Sequence, residues 1–227
     1  PSGLVMPKND ALGLRGDLLC ADFNLRRISR HELSRKGSSY SAATSALIES
    51  DQNDFHPTDV IEDADGSVLV ADTGSWYMIC CPTSKVAKPH ILGAIYRLQK
   101  KISPTPSDPR GLGLDWEKPD ISWLSDERPA VVKRARNALA KEENIDALRS
   151  AKNVPALWAL HRIASESAQR AVREFLNDDN AGVRTAAIHS VGLRRDAAAV
   201  DSLIALLASN DKHHRRLAAM ALGRIGD

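Results

Sequence analysis

Val183-Arg184-Thr185-Ala186-Ala187-Ile188-His189-Ser190-Val191-Gly192 and, 31 residues further on, His214-Arg215-Arg216-Leu217-Ala218-Ala219-Met220-Ala221-Leu222-Gly223 are two versions of one pattern. Apolar residues recur at helical spacing in both. The paired alanines let neighbouring helices approach closely, and the final glycine is expected to end each helix. Asp178-Asp179 and Asp211 stand just ahead, where a carboxylate can cap free amides and complement the helix dipole. Ala199-Val200-Asp201-Ser202-Leu203-Ile204-Ala205-Leu206-Leu207 supplies a partner helix between the two copies. Val132-Lys133-Arg134-Ala135-Arg136-Asn137-Ala138-Leu139 reads as an earlier, more divergent copy. Helix pairs repeated at this period stack in series as a solenoid.

Upstream of about residue 100 the pattern changes. Val60-Ile61 and Val68-Leu69-Val70 are short β-branched runs with Asp65-Gly66, a tight-turn dipeptide, between them. This part repeats too. Gly16-Asp17-Leu18-Leu19-Cys20-Ala21-Asp22 aligns with Gly66-Ser67-Val68-Leu69-Val70-Ala71-Asp72, a period of 50. Pro1-Ser2-Gly3-Leu4-Val5 pairs with Pro57-Thr58-Asp59-Val60-Ile61, and Arg27-Ile28-Ser29-Arg30 with Ala94-Ile95-Tyr96-Arg97. Each copy reads as three strands with room for a fourth, the make-up of a propeller blade. The predicted fold is therefore mixed and segregated. Residues 1–100 are the last blades of a β-propeller, a partial ring. Residues 101–119, with prolines at 104, 106 and 109, are a linker. Residues 120–227 are an all-α array of HEAT-type repeats. Both ends read as cut.

Bulk composition narrows the function classes. The 227 residues carry a net charge of +2, with 43% apolar and 26% charged residues, as expected of a globular chain. Near-neutral charge gives no global drive toward nucleic acid or anionic membrane. No apolar run approaches the ~18 residues of a membrane span, and the first residues show no signal peptide. Three cysteines make no disulfide framework. Walker, dinucleotide, nucleophile-elbow and haem-attachment signatures are absent.

Residues 54–60, 63–77, 80–84 and 92–97 resemble the closing blade of one propeller family. These are large exported proteins of planctomycetes and their relatives. Their propeller is similar to soluble glucose/sorbosone dehydrogenases and is followed by HEAT repeats and, in many members, a c-type haem segment. The resemblance implies a fragment of a quinone- or haem-linked sugar or alcohol dehydrogenase, with the helical array as an interaction scaffold. PQQ, calcium or haem would belong to the parent protein, with periplasmic or exported localisation. Its catalytic base would come from an earlier blade, outside this chain. The alternative is a non-catalytic propeller–HEAT scaffold binding protein or polysaccharide.

Residues shared by both blade copies, such as Asp22 and Asp72, read as structural carboxylates bonding turn amides. Residues found in only one copy are the functional candidates. His56, in a loop ahead of a strand, is a candidate base or ligand contact, or else a histidine that fixes its neighbours. Arg26 and Arg27 are candidate substrate or cofactor contacts. Trp76-Tyr77 reads as an aromatic wall for a sugar or flat cofactor, or as packing between blades. Cys80-Cys81 form a vicinal disulfide or remain two separate thiols; neighbouring Cα atoms are closer than disulfides prefer. No metal site is expected: Asp63-Ala64-Asp65-Gly66 opens like a calcium loop but lacks the later ligands, which favours a hairpin turn. Lys212-His213-His214-Arg215-Arg216 is basic but reads as a solvated helix face rather than a nucleic-acid site.

Overall fold

The computed structural model describes residues 1–74, 90–101 and 107–226. The chain folds as two compact units, residues 1–34 with 40–109 and residues 110–227 with 35–39.

Among the described residues the first unit contains two antiparallel sheets. β1 (Gly3–Val5), β2 (Leu18–Asp22), β3 (Arg27–Lys36) and β4 (Ser39–Glu49) lie side by side in chain order. β5 (Pro57–Glu62), β6 (Val68–Asp72) and β7 (Ala94–Leu98) do the same in the second sheet. In β6 the alternation of the strand buries Val68 and Val70 and leaves Leu69 and Ala71 partly exposed. Leu19, Ala21 and Ile28 from one sheet meet Val60, Val68 and Val70 from the other in a shared core. Burying an aliphatic side chain of this kind is worth roughly 1.5–3 kcal/mol.

The aligned repeats occupy like positions. Asp22 ends β2 and Asp72 ends β6, each the second strand of its meander. Asp72 accepts from the amides of His56 and Gly74, both at 2.8 Å. Asp22 instead accepts from Ser29 and Cys20 and faces Arg27 at 3.6 Å. The turn at 63–67 closes through Asp63 N to Ser67 O at 2.8 Å and Gly66 N to Asp63 O at 3.0 Å. Gly66 has φ +81, and Asn9 lies 2.7 Å from where a Cβ would sit, so both backbone and space require glycine. Arg97 binds Asp63 at 2.9 Å and Asp65 at 3.1 Å and also bonds Ser67 Oγ, so a guanidinium bridges both carboxylates of the loop that resembled a calcium site. Its counterpart Arg30 grips Asp17 at 2.6 Å, the residue aligned with Ser67.

The second unit is helical. α1 (Pro129–Ala138), α2 (Ile145–Ala151), α3 (Val154–Leu160), α4 (Glu166–Glu174), α5 (Ala181–Arg194), α6 (Val200–Leu206) and α7 (Lys212–Ile225) follow one another. α1, α3, α5 and α7 pack in series as one layer, and α2, α4 and α6 pair with them from the other side. Pro129 and Pro155 sit in first turns, where no amide hydrogen is missed. Residues 110–126 belong with the helices. Trp116 donates to the Gly111 carbonyl at 2.6 Å, meets Trp123 edge-on at 4.9 Å, and lies under Arg134 at 4.0 Å. Trp116, Ile121 and Trp123 all pack on the helical core.

Two expectations need correction. Gly192 does not end its helix. α5 runs on to Arg194 and is closed by Arg195 in the left-handed region, φ 52. Gly192 instead lies within the helix, where an added Cβ would stand 2.9 Å from Ala221 Cβ, so it is selected by a helix crossing. Gly223 likewise lies inside α7, which ends at Gly226 with φ +81. Nor do Asp178 and Asp179 cap α5. Asn180 does so, accepting from Gly182 N at 2.8 Å and Val183 N at 3.3 Å, while Asp178 holds the Asn180 amide at 2.8 Å. Asp211 caps α7 as expected.

Candidate functional site

The repeat fixes how its loops are held. Arg184 donates to the carbonyl of Asp178, and Arg215, 31 residues later, donates to that of Ser209, again six residues upstream. Each guanidinium therefore ties a helix to the turn that precedes it. Neighbouring repeats are pinned by further polar bonds. Arg173 in α4 places one nitrogen on both oxygens of the buried Asp196, at 3.0 and 2.9 Å, and another on Glu166. His161 meets Ser190 at 2.8 Å, and His214 meets Thr185 at 3.0 Å. These bonds make the turns stiff edges on a packed core.

Between two of these turns lies a cleft of about 660 Å³. One wall is the end of α2, with Arg149, Ser150 and Lys152; the other is the α4–α5 connection, with Glu174, Asn177, Asp178, Asp179 and Asn180. Phe175, almost fully buried, also lines it. Arg149 Nε reaches Glu174 at 2.6 Å from the opposite wall. Lys152 turns the chain with φ 44, so that Asn153 can cap α3 through Ala156 N at 2.8 Å. Among the described residues, the side chains of Lys152 and Asp179 make no hydrogen bond or ion pair, and both are exposed. The cleft therefore offers one free ammonium and one free carboxylate, beside the Asn177 and Asn180 amides and the Ser150 hydroxyl, on fixed backbone.

The residues singled out from sequence lie in the other unit. His56 is 7% exposed; its Nδ1 faces the Gly74 carbonyl at 2.9 Å and its ring lies 4.6 Å from Phe23. A carbonyl neighbour fixes the proton of the neutral ring on Nδ1. Arg26, with φ 54, donates to the Asp51 carbonyl at 3.3 Å and to Asn53 Oδ1, tethering the loop that leads to His56. Arg27 is turned to Asp22. The structure thus brings His56 beside Phe23 and gives both arginines intramolecular partners. Trp76, Tyr77, Cys80 and Cys81 lie outside the described residues. Sequence reasoning missed the cleft because its two walls are 22 or more residues apart in sequence, Lys152 to Glu174, and neither carries a motif. The signal available was positional: both walls are turns of the repeat.

Two helix layers built from a recurring pair, closed by aromatic residues at the α1 side, define an α-solenoid. Residues 153–223, from α3 to most of α7, match the HEAT repeats family. The helical unit thus carries HEAT repeats, the kind of array that serves as a scaffold for interactions. No curated protein matches the chain. Among the described residues no helix is long and apolar enough to cross a membrane.

Proposed function

We propose that the helical unit is a protein-binding scaffold and that a partner segment enters the cleft between the α2–α3 and α4–α5 turns. One observation carries this: Lys152 and Asp179 stand unpaired on opposite walls of a cleft whose rims are already bonded in place. Preformed rims lower the ordering cost of association. The mix of one positive and one negative group suits a polypeptide. Polysaccharide fits less well, since the single aromatic lining residue is buried and offers no open face for a sugar ring. To test this, peptides are selected from a displayed random library against the full chain. Charge reversal by Lys152→Glu or Asp179→Lys is then expected to weaken the selected peptides at least ten-fold. Equal binding to wild type and both variants would refute the cleft as the binding site.

A second proposal concerns the first unit. The equivalent placement of Asp22 with Asp72 and of Arg30 with Arg97 in two like meanders supports reading it as part of a propeller. The resemblance of residues 54–97 supports an exported, dehydrogenase-like parent. A visible absorption spectrum of that parent, with a quinone or haem band bleached by sugars or alcohols, tests this; a featureless spectrum after adding quinone and calcium speaks against it.

A further inference from the structure

The C-terminal ends of α1, α3 and α5 lie along one edge of the first helix layer, and each carries an arginine in or beside its last turn. Arg136 lies in the last turn of α1, His161 follows the end of α3 with Arg162 behind it, and Arg194 is the last residue of α5. Arg194 Nη2 donates to the carbonyls of His161 and, at 3.0 Å, Ile163, which sets its guanidinium against the end of α3. Trp158 stands edge-on to the His161 ring at 5.1 Å.

Within the unit Arg128 pairs with Asp126, Arg149 with Glu174, and Arg173 with Glu166 and Asp196, while Arg184 and Arg215 bind carbonyls. At this edge Arg136 and Arg194 pair with no carboxylate among the described residues. Among the described residues Arg136 Nε is enclosed without a hydrogen-bond partner, and Arg162 makes no ion pair. The charges felt at this edge are cationic. Burial and then Arg162 lower the pKa of Arg136, while burial, Arg194 and Arg162 lower that of His161. The negative end of a helix dipole attracts cations, which accounts for Arg194 on its two carbonyls. It does not account for Arg136 Nε, which meets no acceptor. Arg136 is otherwise partly exposed, and like charges gathered at one edge favour an anion among them.

We propose that Arg136, Arg162 and Arg194, on three successive repeats, form a docking notch for an acidic peptide segment of a protein partner. This rests on the scaffold reading of the helical unit and adds a second contact to it. Packed helices lie about 8–10 Å apart, and a peptide in the polyproline II conformation has three residues per turn and advances ~3.1 Å per residue. Carboxylates three residues apart therefore share one face at the spacing of successive helices, and guanidinium groups take carboxylates in paired hydrogen bonds. A nucleic acid suits the notch less: sequence-independent binding rests on about 6–10 phosphate contacts, and three arginines supply too few.

The test uses the full chain and a fluorescein-labelled peptide with glutamate at every third position between glycine and serine, followed by anisotropy. Arg162→Glu and Arg136→Gln are expected to weaken it at least ten-fold, and Lys8→Glu, an exposed position in the first unit, to leave it unchanged. Arg162 is exposed and unpaired, so its variant should melt with the wild type; Arg136→Gln should melt no lower. Inorganic phosphate and an oligouridylate of equal charge should fail to displace the peptide. No binding, or equal binding to wild type and Arg162→Glu, would overturn the proposal, as would displacement by the oligouridylate at lower concentration than by unlabelled peptide. Such a failure leaves the cleft untouched, because the cleft is tested by different residues and peptides.

Discussion

His161 shows how a single residue can carry a pH dependence. Burial first, then the charges of Arg194 and Arg162, hold its pKa below the ordinary histidine value. The folded protein therefore binds fewer protons than the unfolded chain as pH falls. The stability from this ring is complete above the unfolded value of about 6.5 and is lost as pH drops through it toward the depressed folded value. Denaturant melts between pH 7 and 5 should show a shallower loss of stability in His161→Asn than in the wild type; parallel curves would exclude the ring as a source. Little of this was legible in the sequence, because both the burial of the ring and the approach of Arg194, 33 positions away, exist only once α3 packs on α5. Asp72 was legible: its alignment with Asp22 marked a structural carboxylate, and its two amide bonds show what it holds.

Among the elements, the two glycines of the helical repeat make a paired experiment. They occupy one repeat position, yet an added Cβ at Gly192 would meet Ala221 at 2.9 Å, while at Gly223 it would meet nothing within 4 Å. Gly192→Ala forces α5 and α7 apart and should cost roughly 1–3 kcal/mol, the usual penalty of overpacking. Gly223→Ala removes backbone freedom from the unfolded chain and should stabilise by about 0.5–1 kcal/mol. Urea melts of both variants would show opposite signs; a loss at both positions would mean that the repeat position, rather than the crossing, sets the requirement. The repeat pattern revealed that these residues were equivalent but not why glycine was there. A helix-ending glycine and a helix-crossing glycine look alike in sequence, and only the left-handed Arg195 and Gly226 separate them. Capping was misplaced by one residue for a related reason: Asp178, Asp179 and Asn180 are all good caps, and backbone geometry chose Asn180.

In the molecule as a whole, two patterns of repetition mark two compact units. The helical period of 31 and the strand period of 50 were both visible as aligned stretches, because each unit repeats its core positions. The boundary was less visible. Prolines drew attention to residues 104–109, whereas the tryptophans that join 110–126 to the helices carry no periodic signal. The cleft and the edge bearing Arg136, Arg162 and Arg194 were hidden altogether, since both are assembled from residues on successive repeats. Both proposals treat the helical unit as a surface that takes up other chains. Hydrogen–deuterium exchange on the full chain, with and without a library-selected peptide, addresses that directly. Binding through the scaffold should slow exchange at residues 149–152 and 174–180 and leave residues 1–74 unchanged. Protection confined to residues 1–101, with the helical turns exchanging as before, would contradict it.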